Sequence, residues 1–481
     1  MKPVFSSVLQ TILLAAFAVT LAGCEVGPDY EQPDTALPTA WTADENKTAD
    51  TKAEVDQQWW KNFNDPVLTQ LIDRAAANNL DLQLAEARIT EARASVSSAT
   101  AALLPTGDFK GTATREANQL AFPDANATGL GPLLHKPFNI FQTGFDASWE
   151  LDLFGGNRRQ EESAEAQMQA SEASRDDVRV SLLAEVARNY VALREYQAQL
   201  AIATDTLNAD KKELEISKQL FDVGQSPKLD MTEDEAAVQR SETQLPYYRN
   251  MVAQTEYSLD VLMGEQPGAA KKIIGDTVAP VPASDKKLVF GAPASVIAQR
   301  PDIRVAERKL AAATAVHGVA VAKFFPDISL TGFLGVLNTS ANNLVTAGNQ
   351  SWMAGASVLW PILSYGTLSA NLDAANAQQQ EALVSYQKTI IGALSDVETS
   401  LNAYNEQQKF LQSAAGEVEK SAHARAIAQE RWKEGLTSRV AVLEADRSLY
   451  AAQDRLAQAR ADATRNLIAV YKSLGGGWVK G

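Results

Sequence analysis

The chain has 481 residues, with 44 lysines and arginines against 59 aspartates and glutamates, and a net charge of −15. Acidity of this degree repels phosphate, which argues against nucleic-acid binding and against a basic contact with anionic lipid. One cysteine, Cys24, and three widely spaced histidines, His135, His317 and His423, leave no disulfide framework and no zinc-type ligand set.

The chain opens on Lys2 and an almost wholly apolar run from Val8 to Ala22. This is shorter than the roughly 20 residues needed to cross a bilayer, but it suits the central region of a secretory signal. Leu21-Ala22-Gly23-Cys24 resembles the bacterial lipobox, which implies cleavage before Cys24 and a covalent lipid on its thiol. The competing reading, a buried cysteine beside an uncleaved anchor, is opposed by both the run length and the Leu-Ala-Gly-Cys order. Residues 1–23 are therefore the predicted signal peptide; their removal takes Lys2 and leaves 43 basic against 59 acidic residues, a net charge of −16. Glu25 rather than aspartate after the cysteine favours the outer membrane. No later run matches a transmembrane helix, so any span is a β-barrel or the lipid alone.

Residues 24–65 read as an extended, lipidated segment. Two copies of one unit follow, at 66–264 and 293–475, joined by a linker at 265–292 and ended by a tail at 476–481. Leu80-Asp81-Leu82 with Ala85-Glu86 returns as Pro301-Asp302-Ile303 with Ala306-Glu307, an offset of 221, and Leu104-Pro105 returns as Phe325-Pro326. Phe221-Asp222-Val223-Gly224 returns as Trp432-Lys433-Glu434-Gly435 with an offset of 211, so the first copy carries a longer loop in between.

Each copy predicts a short helix, two strands, a long helix, a tight turn and a medium helix. In the first copy the short helix lies near 75–103 and stops before Pro105. A β-hairpin at about 106–154 follows, then helices near 160–221 and 228–262. Phe145, Ala147, Trp149, Leu151 and Leu153 alternate with Gly144, Asp146, Ser148, Glu150 and Asp152, which predicts a strand over 141–154 with one apolar face. The second hairpin, at about 327–361, sets Ile328, Leu330, Leu334 and Val336 against Ser329 and Thr331. Val186, Leu193, Leu200, Leu207, Leu214 and Phe221 recur every seven residues, as do Leu383, Ile390, Val397, Tyr404, Leu411 and Val418, and Val442, Leu449, Leu456, Ala463 and Val470. Such a period implies left-handed supercoiling against neighbouring helices. The first long helix would rise about 93 Å, matched by its short and medium helices end to end. The predicted class is mainly α with a β-barrel membrane part, built from internally duplicated long helical hairpins and two β-hairpins. Four strands cannot close a barrel, which takes about eight, and an open sheet cannot sit in lipid, so the barrel has to be shared between chains.

Several segments now carry a resemblance: Cys24 with Gly27-Pro28-Asp29-Tyr30 and Pro33; Trp59-Trp60; Trp149-Glu150-Leu151-Asp152-Leu153-Phe154-Gly155; Val223-Gly224; Val261-Leu262-Met263-Gly264; and Leu474-Gly475-Gly476-Gly477-Trp478. In this order they resemble the outer-membrane factors of tripartite efflux systems, the TolC-like ducts, in the lipoprotein branch of OprM and NodT. The resemblance implies a homotrimer with a twelve-stranded barrel in the outer membrane of a Gram-negative bacterium, an α-helical tunnel in the periplasm and an equatorial collar. It implies passive export of small molecules such as drugs, no reaction, and no cofactor beyond the lipid on Cys24. The implied partners are a periplasmic adaptor of the membrane fusion type, an inner-membrane RND pump and outer-membrane lipid. Adaptors would meet the turns at Val223, Gly224, Gln225 and Ser226 and at Gly435, Leu436, Thr437 and Ser438. The family's constriction, an apolar residue with an acid four residues on, matches Val440 and Glu444, followed by Ala445. Three acids facing a narrow pore favour cations. Glu444 replaces the usual aspartate, and Asp446 stands where glutamine is frequent. Asp222, Asp230, Glu233, Asp234 and Glu235 near the first turn read as a solvated charge cluster. No nucleophile elbow, phosphate loop or zinc-protease pattern supports an enzyme. A lipid-anchored coiled-coil scaffold that conducts nothing, and a duct for protein secretion, are the alternative readings.

Overall fold

The computed structural model describes residues 25–43, 56–116, 137–284, 286, 288–346 and 348–478. The lipid expected on Cys24 and the histidine at 135 lie outside the described residues. The elements run, in chain order, α1 Pro66–Asn78, α2 Leu80–Ala102, β1 Thr106–Glu116, β2 Phe138–Glu150, α3 Gly156–Asp222 and α4 Lys228–Leu262. After these come α5 Ala269–Ile274, α6 Pro293–Gln299, α7 Pro301–Ala322, β3 Asp327–Asn338, β4 Gln350–Leu359, α8 Tyr365–Lys433 and α9 Arg439–Ser473. The connection from β1 to β2 takes 21 residues (117–137) against 11 (339–349) from β3 to β4, which is where the repeat offset falls by ten.

Two expected elements differ in detail. The helix expected near 75–103 is two helices, because the Asn79 side chain accepts from the Asp81 and Leu82 amides at 2.9 and 3.0 Å and caps α2. The strand expected over 141–154 ends at Glu150. Asp152 there adopts φ 43°, and its carboxylate accepts from the Asn157 and Arg158 amides, so it caps α3. In both places a local side-chain cap sets the boundary of the element against the expected continuation.

The chain divides into two compact units, each drawing on both copies of the repeat. The first holds the sheet, an antiparallel meander in the order β1-β2-β3-β4. Its register places Phe109 opposite Phe145, Phe145 opposite Leu334, and Leu334 opposite Trp352. All four are 64–77% exposed, so one face presents a continuous apolar row. The other face carries Asp108, Lys110, Gln142, Asp146, Ser329, Thr331 and Ser357, as period-two alternation requires. Phe333 is the exception on that polar face: it is buried over the paired glycines Gly144 and Gly335. The two copies end their hairpins alike. The Trp149 indole donates to the Leu103 carbonyl at 2.9 Å, and the Trp360 indole to the Phe324 carbonyl at 3.1 Å.

The second unit is helical around a core in which Trp59 stacks on Tyr471 at 5.4 Å, with Leu68, Leu183, Leu193 and Ile468 buried about it. Trp41 enters the same core and donates to the Gly291 carbonyl at 2.9 Å. Of the heptad positions, Val186, Leu193, Leu207, Ile390, Val397, Val442, Ala463 and Val470 are buried, Phe221 beside the first turn is exposed, and the rest are half-buried. Each fully buried large aliphatic among them contributes about 1.5–3 kcal/mol. Among the described residues no helix is long and apolar enough to cross a membrane.

A Cβ on Gly144 would stand 2.5 Å from the Leu334 carbonyl oxygen and 2.9 Å from the Phe333 ring. Gly144→Ala should therefore lower the stability of the sheet by about 1–3 kcal/mol, read as an earlier loss of tryptophan fluorescence in a denaturant titration.

Candidate functional site

The helical hairpins turn in the same way in both copies. After α3, Gly224 takes φ 70°, its amide donates to the Phe221 carbonyl at 2.9 Å, and the Gln225 amide reaches back to Leu220 at 2.8 Å. After α8, Gly435 takes φ 73°, with bonds to Trp432 at 3.0 Å and from the Leu436 amide to Arg431 at 2.8 Å. This is the left-handed glycine cap of a helix C-terminus, and a Cβ would be strained at both positions. The caps leave Val223 and Leu436 67% and 63% exposed at the turns. Gln225 and Ser438 are also exposed, and Ser226 and Thr437 half-buried. The Ser226 hydroxyl donates to Asp230 at 2.7 Å.

Val440 and Glu444 sit one turn apart at the start of α9, and both are exposed. Between them in the chain, Val442 points the other way and is buried. Asp446 is held by Arg425 at 2.8 Å. The residue that fixes this end of α9 is Arg439. Its guanidinium donates to the Glu213 carboxylate at 2.7 Å, to the Glu213 carbonyl at 2.6 Å and to the Ser217 hydroxyl at 3.2 Å, and lies 3.8 Å from Asp234. Asp234 is 6% exposed and also accepts from Ser217. The reading of Asp234 as solvated is thus corrected: a cation 205 positions further along the chain covers it. Asp222, Glu233 and Glu235 are exposed and Asp230 half-buried. Nothing in the local sequence marks Arg439, since its partners lie on α3 and α4.

In the first unit, Arg159 at the start of α3 is buried and pins the segment that follows Cys24. It pairs with Glu25 at 3.1 Å, Asp29 at 2.6 Å and Glu162 at 2.7 Å, and donates to the Val26 carbonyl at 3.3 Å. Gly27, at φ 95°, lies against Gly318; a Cβ on Gly27 would meet the Gly318 Cα at 2.6 Å. His317 bonds Gln379 at 2.9 Å, and His423 is exposed.

A sheet with an outward apolar row, duplicated helical hairpins and glycine-capped turns define a membrane duct rather than a globular binding domain. The family described as outer membrane efflux protein matches residues 71–265 and 292–476, and the chain belongs to it. It is 31% identical over 484 residues to the antibiotic efflux pump outer membrane protein ArpC of Pseudomonas putida, covering 97% of this chain and 95% of that one. Nodulation protein T of Rhizobium leguminosarum bv. trifolii is 31% identical over 446 residues, 92% of each chain. The outer-membrane channel OprN superposes with a TM-score of 0.86 at 33% identity, over 95% of this chain and all of that one. The protein is an outer-membrane efflux channel that extends into the periplasm.

Replacing Arg439 by Met would leave Asp234 buried without its cation. The expected cost is about 1–3 kcal/mol, felt at the start of α9 and at its partners on α3 and α4: amide hydrogen exchange should quicken over 439–446 and around Asp234, and stay unchanged over 456–470.

Proposed function

We propose that the chain is the passive exit duct of a tripartite RND-type pump, in which three copies close one barrel of twelve strands and continue as a helical tunnel. The sheet carries this reading. Four strands enclose nothing, yet they expose Phe109, Phe145, Leu334 and Trp352 on one face and, among the described residues, leave β1 and β4 unpaired at the edges. A periplasmic scaffold would gain nothing from such a face, which in water invites aggregation. Small molecules are the proposed cargo, in keeping with the antibiotic efflux for which ArpC is named. The duct supplies passage and no chemistry.

The adaptor is proposed to dock on the two turns, 223–226 and 435–438, where exposed Val223 and Leu436 offer apolar contacts between polar neighbours. Cys24 is proposed to carry the lipid; the clamp of Arg159 on Glu25 supports this, because it fixes the adjoining residue at the start of α3, in the same unit as the sheet. Val440 and Glu444 are proposed to face the narrowest part of the tunnel. Their one-turn spacing and common exposure let an apolar ring and an acidic ring form when three copies of α9 approach one axis.

Electron microscopy of the detergent-solubilised protein tests the assembly. Three-fold tubes with a short barrel at one end are expected; single rods or two-fold bundles without a barrel would overturn it. In planar bilayers, Glu444→Ala should raise conductance and weaken cation preference, and unchanged selectivity would remove Glu444 from the constriction.

A further inference from the structure

We infer that a cavity between α3, α4 and α9, within the helical unit, is a binding site for a small organic zwitterion with an aromatic body. Asp210 and Asp454 take its amine, Arg240 and Arg447 its carboxylate, and Tyr248 and Tyr450 its ring. The site includes none of the residues proposed for docking or for the constriction.

The cavity has a volume of about 310 Å³, which is the size of a small-molecule site. Of its lining, Gln199, Ala203, Ala237 and Ser241 are buried, while Arg240 and Arg447 are exposed. Tyr248 on α4 and Tyr450 on α9 are half-buried, so each offers part of a ring. The duplication supplies a control. At the matching positions 211 residues on, copy two has Phe410 for Gln199, Ser421 for Asp210, Ala451 for Arg240, Ala452 for Ser241 and Ala459 for Tyr248. Ala452 and Ala459 are fully buried. A helical hairpin of this plan therefore packs without the charged and phenolic set, and copy one carries that set as an addition.

Charge pairing sets the place apart. Other arginines of α8 and α9 find acids: Arg425 holds Asp446 at 2.8 Å, Arg455 holds Glu417 at 2.9 Å, and Arg465 holds Glu195 at 2.6 Å. Around the cavity two guanidiniums and two carboxylates share one space, and among the described residues none of the four makes an ion pair. Neutral groups hold the acids instead. Asp210 accepts from the Ser241 hydroxyl, and Asp454 from the Gln458 amide at 3.0 Å and from Gln199. Burial outweighs Gln199 and Arg455 and raises the Asp454 carboxyl above its ordinary value; an amine beside it acts in the opposite sense. Opposite charges that border one cavity without touching fit a ligand that carries both, since each end then gains a charge-assisted bond.

Calorimetric titration of the full-length protein in detergent tests the site with probes of one shape and different charge. Free phenylalanine is expected to bind about tenfold more tightly than phenethylamine or hydrocinnamate, each of which lacks one charge-assisted contact. Arg447→Gln should weaken phenylalanine and hydrocinnamate by about tenfold and leave phenethylamine unchanged. Asp454→Asn should weaken phenylalanine and phenethylamine and spare hydrocinnamate. Arg447→Lys, which keeps the charge at an exposed position, should retain most of the binding. The comparison of probes on the natural chain decides the matter even where a variant fails to fold. No saturable binding of phenylalanine up to its solubility limit, equal affinities for the three probes, or folded variants that bind every probe as the natural chain does would overturn the site and leave the duct reading standing.

Discussion

The unpaired backbone along β1 and β4 governs the rest of this structure. In hydrocarbon every free amide or carbonyl costs several kcal/mol, because no water replaces the missing partner. A four-stranded meander has two such edges and cannot bend far enough to join them. Its apolar row of Phe109, Phe145, Leu334 and Trp352 is exposed to whatever surrounds the chain, and its polar row faces the other way. Only closure with further strands satisfies the edges while keeping the apolar row outside. The Gly144–Gly335 pair under Phe333 is a local fitting within the same sheet: it lets an aromatic ring lie flat on the polar face where side chains would otherwise hold it off.

Duplication lets one set of contacts serve twice. The indole-to-carbonyl bond that fastens the end of a helix to the end of a hairpin appears at Trp149 and again at Trp360. The left-handed glycine turn appears at Gly224 and again at Gly435.

The copies part company near the turns. Arg439 binds Glu213, Ser217 and Asp234, whereas Lys228, the residue at its position in copy one, is exposed. That single cation ties the second hairpin to the first beside Val440 and Glu444. Charge is thus spent asymmetrically where the proposed constriction lies, while the sheet, far along the sequence from it, keeps the two copies alike.

Much of this was legible in the residues themselves. The repeat, the order of elements, the seven-residue spacing and the alternation at 144–150 are local regularities, and helices and strands impose those periods on any chain that forms them. The glycines at 224 and 435 mark turns because only a residue without Cβ enters the left-handed region freely. What the sequence could not convey were contacts between distant positions and contests between local rules. Asn79 divides a helix and Asp152 ends a strand because their side chains capture backbone amides, an outcome that periodicity does not register. Asp234 looks like one of several surface acids until folding brings Arg439 over it, and Arg159 looks like an ordinary helix residue until Glu25 and Asp29 arrive. Periodicity determines which faces exist; only the tertiary structure decides which charges meet, because a charge pair depends on separation in space and the chain order leaves that separation open.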